Sequence, residues 1–293
     1  MYHLFTLFTG MLISVMVAVN GSLSGNVGIY TSTVLIYVVS VLFSLSLLLA
    51  GKKRIFPAKR LPLWRYSAGV ISVFSTVFTN FAYGKISVLA ITALGLLAQT
   101  VTSFIIDAFG LFGVKKRGLS FGGAACLAVS ICGIPVMLHG AQLGEAAAVA
   151  VAFASGVTLV VSRMINAELA SDTGALSGAF INHLTGLPAA LLALFVLGGG
   201  ELAVAAPLNA VPWWAYLGGV LGIAVIAFNN VTVPRISAMQ GTLLLFVGQM
   251  AAGTVIDIIN SAALSPRLLI GTAIVTLGVC VNMLLGDKKS PRS

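Results

Sequence analysis

Long apolar runs follow one another along almost the whole chain, separated by short breaks that contain glycine, proline or charged residues. A helix needs roughly 20 consecutive apolar residues to cross the hydrocarbon core of a bilayer. Runs of about that length occupy 4–24, 32–50, 67–84, 88–112, 118–138, 145–166, 174–197, 213–233, 238–262 and 267–286. The pattern predicts an all-α membrane protein with ten transmembrane helices.

Composition excludes the main alternatives to a membrane protein. Charged residues make up 8% of the chain and apolar residues 59%, whereas a soluble domain carries about 25% charged residues. A soluble enzyme, a secreted disulfide scaffold and a disordered chain are therefore excluded. The sequence has no phosphate-binding loop, nucleophile elbow, HExxH or CxxC motif, so we predict no enzyme activity, no metal site and no cofactor.

The excess of basic residues gives a net charge of +9. In a soluble protein this excess would suggest a nucleic-acid partner, but in a membrane protein Lys and Arg mark the cytoplasmic loops. Ten spans place both termini on one side, and all basic residues except Lys85 and Arg267 fall on that side if Arg163 is counted as a loop residue. We predict a multi-pass protein of the inner or plasma membrane, with both termini cytoplasmic and no nucleic-acid partner.

The chain repeats itself internally. At an offset of 150 residues, 15 of the 56 positions in 62–117 are identical without a gap, and an offset of 146 pairs Gly10 with Gly156. The repeat predicts two five-helix units, 1–140 and 141–293, within one transmembrane domain. Because each unit has an odd number of spans, the second must be inserted upside down relative to the first. This is the inverted-topology repeat of secondary transporters.

A polar stripe lies on one face of span four and recurs in span nine. At 100° per residue, the four polar residues of span four fall within about 80° of each other. Two interpretations stay open: these groups stabilise contacts between helices, or they line a path for a solute. The predicted substrate-binding residues of the stripe are Thr92, Gln99 and Ser103 in span four and Thr242 and Gln249 in span nine.

The stripe ends in an aspartate in both units, Asp107 and Asp257. A carboxylate inside a membrane is costly and therefore needs a reason. One hypothesis is a coupling or gating role for the two aspartates. The alternative is structural ion pairing with Arg117 and Arg267, which follow ten residues later in each unit. Both arginines are included among the candidate coupling or gating residues.

Further polar residues lie inside the spans at positions related by the repeat. Asn80, Asn230 and His183 are predicted to bind substrate, and Asn20, Asn166 and Tyr37 are additional candidates. A proton-coupling role is one interpretation of His183, because an imidazole titrates near neutral pH. For Asn20, which precedes a Gly-Ser pair, a helix cap is the alternative.

The order of these motifs resembles the drug/metabolite transporter superfamily and, more closely, its YdcZ-type family. The resemblance covers both halves, as in the fused, two-unit form of that family. The second half carries it in Trp213-Trp214-x-Tyr216-x-Gly218-Gly219-x-x-Gly222 and in Gly248-Gln249 with Asp257. The first half carries it in Gln99 and in Asp107-Ala-Phe-Gly110. The resemblance implies export of a solute, with proton coupling as a further expectation.

The sequence therefore predicts a secondary transporter that moves a small organic metabolite or drug-like solute by alternating access. A facilitative carrier or channel for a small polar solute and a non-transporting membrane scaffold are the alternatives. The expected partners are the small-molecule substrate and the lipid bilayer. Because the fused repeat supplies both units, a monomer is sufficient, and homodimerisation is left open.

Overall fold

The computed structural model describes residues 2–57, 60–110, 121–201, 207, 209–232, 238–260 and 266–286. These residues are helical, with no β-strand among them. Their ten α-helices are α1 (Tyr2–Val27), α2 (Ile29–Ala50), α3 (Ser67–Ala82), α4 (Val88–Phe109), α5 (Phe121–Leu138), α6 (Leu143–Thr173), α7 (Ala175–Leu197), α8 (Gly218–Thr232), α9 (Ala238–Ile259) and α10 (Pro266–Gly286). Short 3-10 helices, Leu63–Tyr66 and Trp213–Leu217, precede α3 and α8.

The ten helices match the ten predicted spans in order, which confirms the all-α prediction. By length and composition, α1, α2, α4, α6 and α7 are long and apolar enough to cross a membrane. Shorter apolar helical stretches lie in α5, α9, α10 and the segment that contains α8. Within the described residues, the fold is thus that of a multi-pass helical membrane protein.

The largest difference from the predicted spans concerns α6. This helix has 31 residues and ends at Thr173, whereas its apolar run ends near residue 166. The polar last turns are held by Arg65, which contacts Glu168 and Asp172. Arg163 is therefore a residue of the helix interior, and its assignment to a cytoplasmic loop was wrong.

A single glycine joins α1 to α2, and another joins α6 to α7. Gly28 has φ 93° and Gly174 has φ 86°, a region that glycine adopts without steric cost. The two glycines are 146 residues apart, the same offset that relates the beginnings of the two halves. Because α1 continues through Asn20 to Val27, the helix-cap interpretation of Asn20 was wrong.

The most extensive helix contacts join the two halves. Helix α5 packs on α10, α1 on α9, α3 on α6, α2 on α7 and α4 on α6. These contacts come in pairs that the sequence repeat relates. The α1–α9 contact corresponds to α6–α4, the α3–α6 contact to α8–α1, and the α3–α7 contact to α8–α2.

Glycine permits the closest of these approaches. A Cβ atom at Gly10 of α1 would overlap the carbonyl group of Leu245 in α9, and one at Gly156 of α6 would overlap the carbonyl group of Gly95 in α4. Small residues let helix backbones approach in a membrane protein. Gly10 corresponds to Gly156 at the offset of 146, and Gly95 corresponds to Leu245 at the offset of 150. The two contacts are therefore counterparts in the repeat.

Candidate functional site

A cavity of about 250 Å³, here called the central cavity, lies between the two halves. Residues of eight helices line it, and none of the described residues of α5 or α10 is among them. Its volume is below the roughly 300–1,000 Å³ typical of pockets for drug-sized ligands. The central cavity therefore suits a small solute, and both halves contribute to its wall.

Most of the candidate residues whose side chains are described line the central cavity. They are Asn20, Tyr37, Asn80, Thr92, Gln99, Asn166, His183 and Gln249. Seven different helices supply them. The structure thus brings together residues that are up to 229 positions apart in sequence, although their role in binding a solute stays a prediction.

The remaining candidates fall into two groups. Ser103 is exposed and is not part of the cavity lining. Arg117 lies outside the described residues, as do the side chains of Asp107, Asn230 and Thr242.

The amide of Asn80 has a fixed orientation in the wall of the cavity. Its Nδ2 donates to Ser32 Oγ (3.2 Å) and Thr33 Oγ1 (3.5 Å). Both hydroxyls donate in turn to the carbonyl oxygen of Ile29, at 2.9 and 2.8 Å. Because their protons are used there, the hydroxyls can only accept from Asn80, and this fixes the orientation of its amide.

Four asparagine side chains of the lining have a buried Oδ1 without a hydrogen-bond partner among the described residues. They are Asn20, Asn80, Asn166 and Asn182. A buried acceptor without a donor is costly, on the order of 1–3 kcal/mol. The wall of the central cavity thus contains four unused acceptors, each buried beneath its surface.

Gly218 makes room for one of these amides. A Cβ atom at position 218 would overlap Oδ1 of Asn20, so any larger residue there would displace the amide from its place. Gly218 is also the first glycine of the motif that follows the tryptophan pair. The motif is thus connected physically to the wall of the central cavity.

Arg163 is the one Lys, Arg, Asp or Glu side chain in the described lining of the central cavity. Its Nη1 donates to Gln99 Oε1 (2.9 Å), while Gln99 Nε2 donates to the carbonyl oxygen of Gly95 (3.2 Å). Arginine only donates, so its contact sets the orientation of the Gln99 amide. Arg163 is an exposed residue and is one of the residues that line the cavity.

Sequence reasoning missed Arg163 although a signal was available. The residue lies inside the predicted span 145–166, and an ionisable side chain within a span is a functional-site candidate. It was treated as a loop charge because it lies near the end of the apolar run. Asn182 was also missed, since it occupies an ordinary position in α7 and has no polar counterpart at the repeat-related Ile36.

His183 and Tyr37 meet in the wall of the cavity. Their ring centroids are 5.3 Å apart with an interplanar angle of 57°. The Tyr37 hydroxyl is 2.7 Å from Ser72 Oγ, and Nδ1 of His183 is 2.8 Å from the carbonyl oxygen of Ala179. The two aromatic residues are counterparts at the 146-residue offset, so their contact joins equivalent points of α2 and α7.

Asp257 lies at one end of the bundle and not in the central cavity. Its side chain is buried, and its two oxygens accept from the backbone N–H groups of Val88 and Leu89, each at 2.8 Å. These donors belong to the first turn of α4, where a carboxylate is favoured by the helix dipole. The alternative interpretation, in which Asp257 pairs with Arg267, was wrong, because Arg267 contacts Glu145 and the carbonyl oxygen of His139.

Glu201 caps α2 in a similar way. Its carboxylate accepts from the N–H groups of Ile29, Tyr30 and Thr31, each at 2.9 Å, and from Thr31 Oγ1 at 3.2 Å. Glu201 and Asp257 both belong to the second half and cap helices of the first half. We call the part of the bundle that contains these two contacts the carboxylate-capped end.

The opposite end is joined by a different kind of contact. Arg65 Nη2 is 3.1 Å from Glu168 Oε2, and Nη1 contacts Asp172. Ser177 Oγ donates nearby to the carbonyl oxygen of Arg54 (2.6 Å). We call this region the arginine-bridged end. The central cavity lies between two sets of polar contacts that join the halves.

A second, larger pocket is separate from this site. It has a volume of about 790 Å³ and lies among α2, α7 and α8. Its wall is mainly apolar, with Lys53 and Arg54 among the lining residues. It shares one residue, Ile226, with the central cavity and none of the asparagines. The smaller cavity, which contains the asparagines, is therefore the candidate binding site.

Comparison with known proteins agrees with this architecture. The sequence model of a family described as "Putative inner membrane exporter, YdcZ" matches residues 1–136 and, in a second segment, 147–281. No curated protein matches the chain. Among solved structures, 17 chains match. One of them, described only as the crystal structure of a protein, has a TM-score of 0.63, covers 97% of this chain and 98% of its own, and is 17% identical. This identity shows a shared fold alone.

Proposed function

The chain belongs to the YdcZ family of drug/metabolite transporters, and on that premise we propose that it exports a small polar solute by alternating access around the central cavity. The family description favours the inner membrane as its location and export as its direction. The proposal concerns the mechanism and the site. It assigns the central cavity as the place where the solute binds.

The observation that carries the proposal is the position of the cavity between the halves. Secondary transporters with inverted repeats bind their substrates near the midplane, at the interface of the repeats. Here eight helices from both halves surround one polar cavity. The paired helix contacts and the meeting of Tyr37 with His183 support a two-fold relation between the halves.

Polar contacts at both ends of the cavity provide candidate gates. In an alternating-access cycle, the contacts of one end break while those of the other end hold. Asp257 and Glu201 join the halves at the carboxylate-capped end, and Arg65 joins them at the arginine-bridged end. We therefore assign Asp257 a gating role, in which it releases or holds the first turn of α4.

The coupling ion is a separate question. Among the described residues, no carboxylate lines the central cavity. A proton-coupling role for Asp257 is not favoured by its position, because both oxygens are engaged with backbone N–H groups away from the solute. His183 provides the imidazole that a coupled mechanism would use. Facilitated exchange without an ion is compatible with the same site.

A two-sided labelling experiment tests alternating access. Cys126, Cys132 and Cys280 are first replaced by Ala, and Ser75→Cys or Val225→Cys is then introduced. Positions 75 and 225 both line the central cavity and are counterparts in the repeat, so each variant is a matched control for the other. A membrane-impermeant thiosulfonate is added to either side of proteoliposomes that contain the protein.

Alternating access predicts that both cysteines react with the thiosulfonate from both sides of the membrane. A substitution that increases the labelling rate from one side should decrease the labelling rate from the other side. This reciprocity follows because each molecule opens its cavity to one side at a time, so a larger fraction open to one side leaves a smaller fraction open to the other. A channel would lose the reciprocity, since opening one end leaves the other unchanged. A scaffold would leave both cysteines unreactive from at least one side, and either result would reject the proposal.

A further inference from the structure

The central cavity has a positive charge without a negative partner in its described wall. Arg163 is the charged lining residue, and no carboxylate oxygen of a described side chain lies within 4.0 Å of it. Charged side chains inside a membrane protein are normally paired or hydrogen-bonded. Within the described residues its one hydrogen bond, to Gln99, leaves most of the five guanidinium N–H donors free for another acceptor.

The acidic residues whose side chains the structure describes are engaged elsewhere. The sequence has seven Asp and Glu residues. Glu145, Glu168 and Asp172 form ion pairs at the ends of the bundle, while Glu201 and Asp257 cap helices. The side chains of Asp107 and Asp287 lie outside the described residues. None of the five described acids is available to neutralise Arg163.

The rest of the lining offers hydrogen-bond acceptors. The amide oxygens of Asn20, Asn80, Asn166 and Asn182 have no donor among the described residues. Asn166 follows Arg163 by three positions on α6, so both residues lie on the same helix face. A solute that complements the charge of this wall carries an anionic group for the arginine.

From these contacts we infer that the transported solute is a small organic anion and that Arg163 binds its carboxylate or phosphate group. The inference rests on the proposed transport function, because it assigns the substrate class of the same cavity. A guanidinium binds both kinds of anion through paired N–H donors. Gln99 holds the guanidinium in place through the hydrogen bond from Nη1 to Oε1.

Anion binding is measured by thermal unfolding of the purified protein. The probes are acetate, glycerate and inorganic phosphate, and the neutral counterparts of the two carboxylates are acetamide and glyceramide. The ionic strength is held constant with a sulfonate buffer salt that is bulky relative to the cavity of about 250 Å³. A ligand that binds the folded state raises the apparent stability in proportion to the logarithm of its concentration over Kd.

We expect the anions to raise the Tm of the wild-type protein and the neutral amides to leave it unchanged. Arg163→Gln should weaken the binding of each anion at least tenfold, whereas Arg163→Lys, which keeps the charge, should retain part of the response. Arg60→Gln is the matched control, since Arg60 is exposed outside the cavity. Equal stabilisation by an acid and its amide, an unchanged response in Arg163→Gln, or no response to any anion would overturn the inference.

A second measurement keeps the test decisive if Arg163→Gln does not fold. With Arg163 in place, glycerate should slow the labelling of Ser75→Cys, and glyceramide should not. Equal protection by both compounds contradicts the inference. This outcome is distinct from failure of the proposed function, because loss of two-sided reciprocity rejects transport by alternating access whatever the charge of the bound solute.

Discussion

The two ends of the bundle are joined by contacts of different physical character. At the carboxylate-capped end, Asp257 is 2% exposed and accepts two backbone hydrogen bonds, and Glu201 accepts three more. At the arginine-bridged end, the side chains of Glu168 and Asp172 are 52% and 44% exposed. The contacts of Asp257 are shielded from water, those of Glu201 are partly shielded, and those of Glu168 and Asp172 are open to it.

This difference predicts unequal contributions to the conformational equilibrium. When a buried carboxylate separates from its partners, the carboxylate and the backbone N–H groups both lose their hydrogen bonds. An exposed ion pair contributes only about 0–1 kcal/mol, because water replaces it readily. We therefore expect the carboxylate-capped end to control which side of the membrane the cavity faces, and the arginine-bridged end to have a weaker influence.

The largest effect is expected for Asp257→Ala. It removes both acceptors from the first turn of α4, so the state with this end closed should be destabilised by about 2 kcal/mol. That energy corresponds to roughly a thirtyfold shift in the ratio of the two cavity orientations. The labelling of Ser75→Cys should rise from the side of the carboxylate-capped end and fall from the other side.

Lys85→Gln is the control for this change. Lys85 lies in the connection just before α4 and donates to the carbonyl oxygen of Phe81 in its own half (2.7 Å). Burial lowers the pKa of its ammonium group. Its replacement changes the charge near Asp257 without removing a contact between the halves. An equal shift in both variants would mean that charge, and not the cap of α4, sets the equilibrium.

A smaller shift in the same direction is expected for Glu201→Ala. Glu201 caps α2 with more hydrogen bonds than Asp257 makes, but it is only partly buried, and water can replace some of them. We expect about 1 kcal/mol, or roughly fivefold, measured by the same labelling ratio. Thr31→Val removes only the side-chain bond at 3.2 Å and should have a lesser effect. A larger effect of Thr31→Val would contradict the role of the three N–H groups.

The smallest effect, and one of opposite direction, is expected for Arg65→Gln. It breaks the exposed contacts with Glu168 and Asp172 and should favour opening of the arginine-bridged end by about 0.5 kcal/mol, roughly twofold. Arg60→Gln in the same connection is the matched control. If Arg65→Gln shifted the labelling ratio more than Asp257→Ala, the proposed difference between the two ends would be wrong.

Most of the helical framework could be predicted from the sequence. An apolar run that is long enough to cross the hydrocarbon core has few alternatives to a spanning helix. The reason is that the membrane interior offers no hydrogen-bond partners to the N–H and C=O groups of an irregular backbone. The end of α6 could not be predicted in this way. Its last turns are polar, and the contacts of Arg65 with Glu168 and Asp172 come from a distant part of the chain.

The candidate site was predictable where the repeat marks it. Gln99 and Gln249, and likewise Asn20 and Asn166, are repeated pairs, and the structure places all four around one cavity. Asp257 shows the limit of this reasoning. Its partners are backbone N–H groups 168 and 169 positions away in sequence, and backbone donors leave no residue-type signal that could distinguish a cap from an ion pair.

The sequence by itself determined that this chain forms transmembrane helices and that it contains two related units. Both properties follow from local hydrophobicity and from self-similarity, which do not depend on how the helices pack. Only the tertiary structure decided which polar residues share a cavity, that Arg163 is one of them, and that Asp257 caps α4. These facts depend on the rotation and depth of each helix against its neighbours, which are set by packing contacts between distant segments.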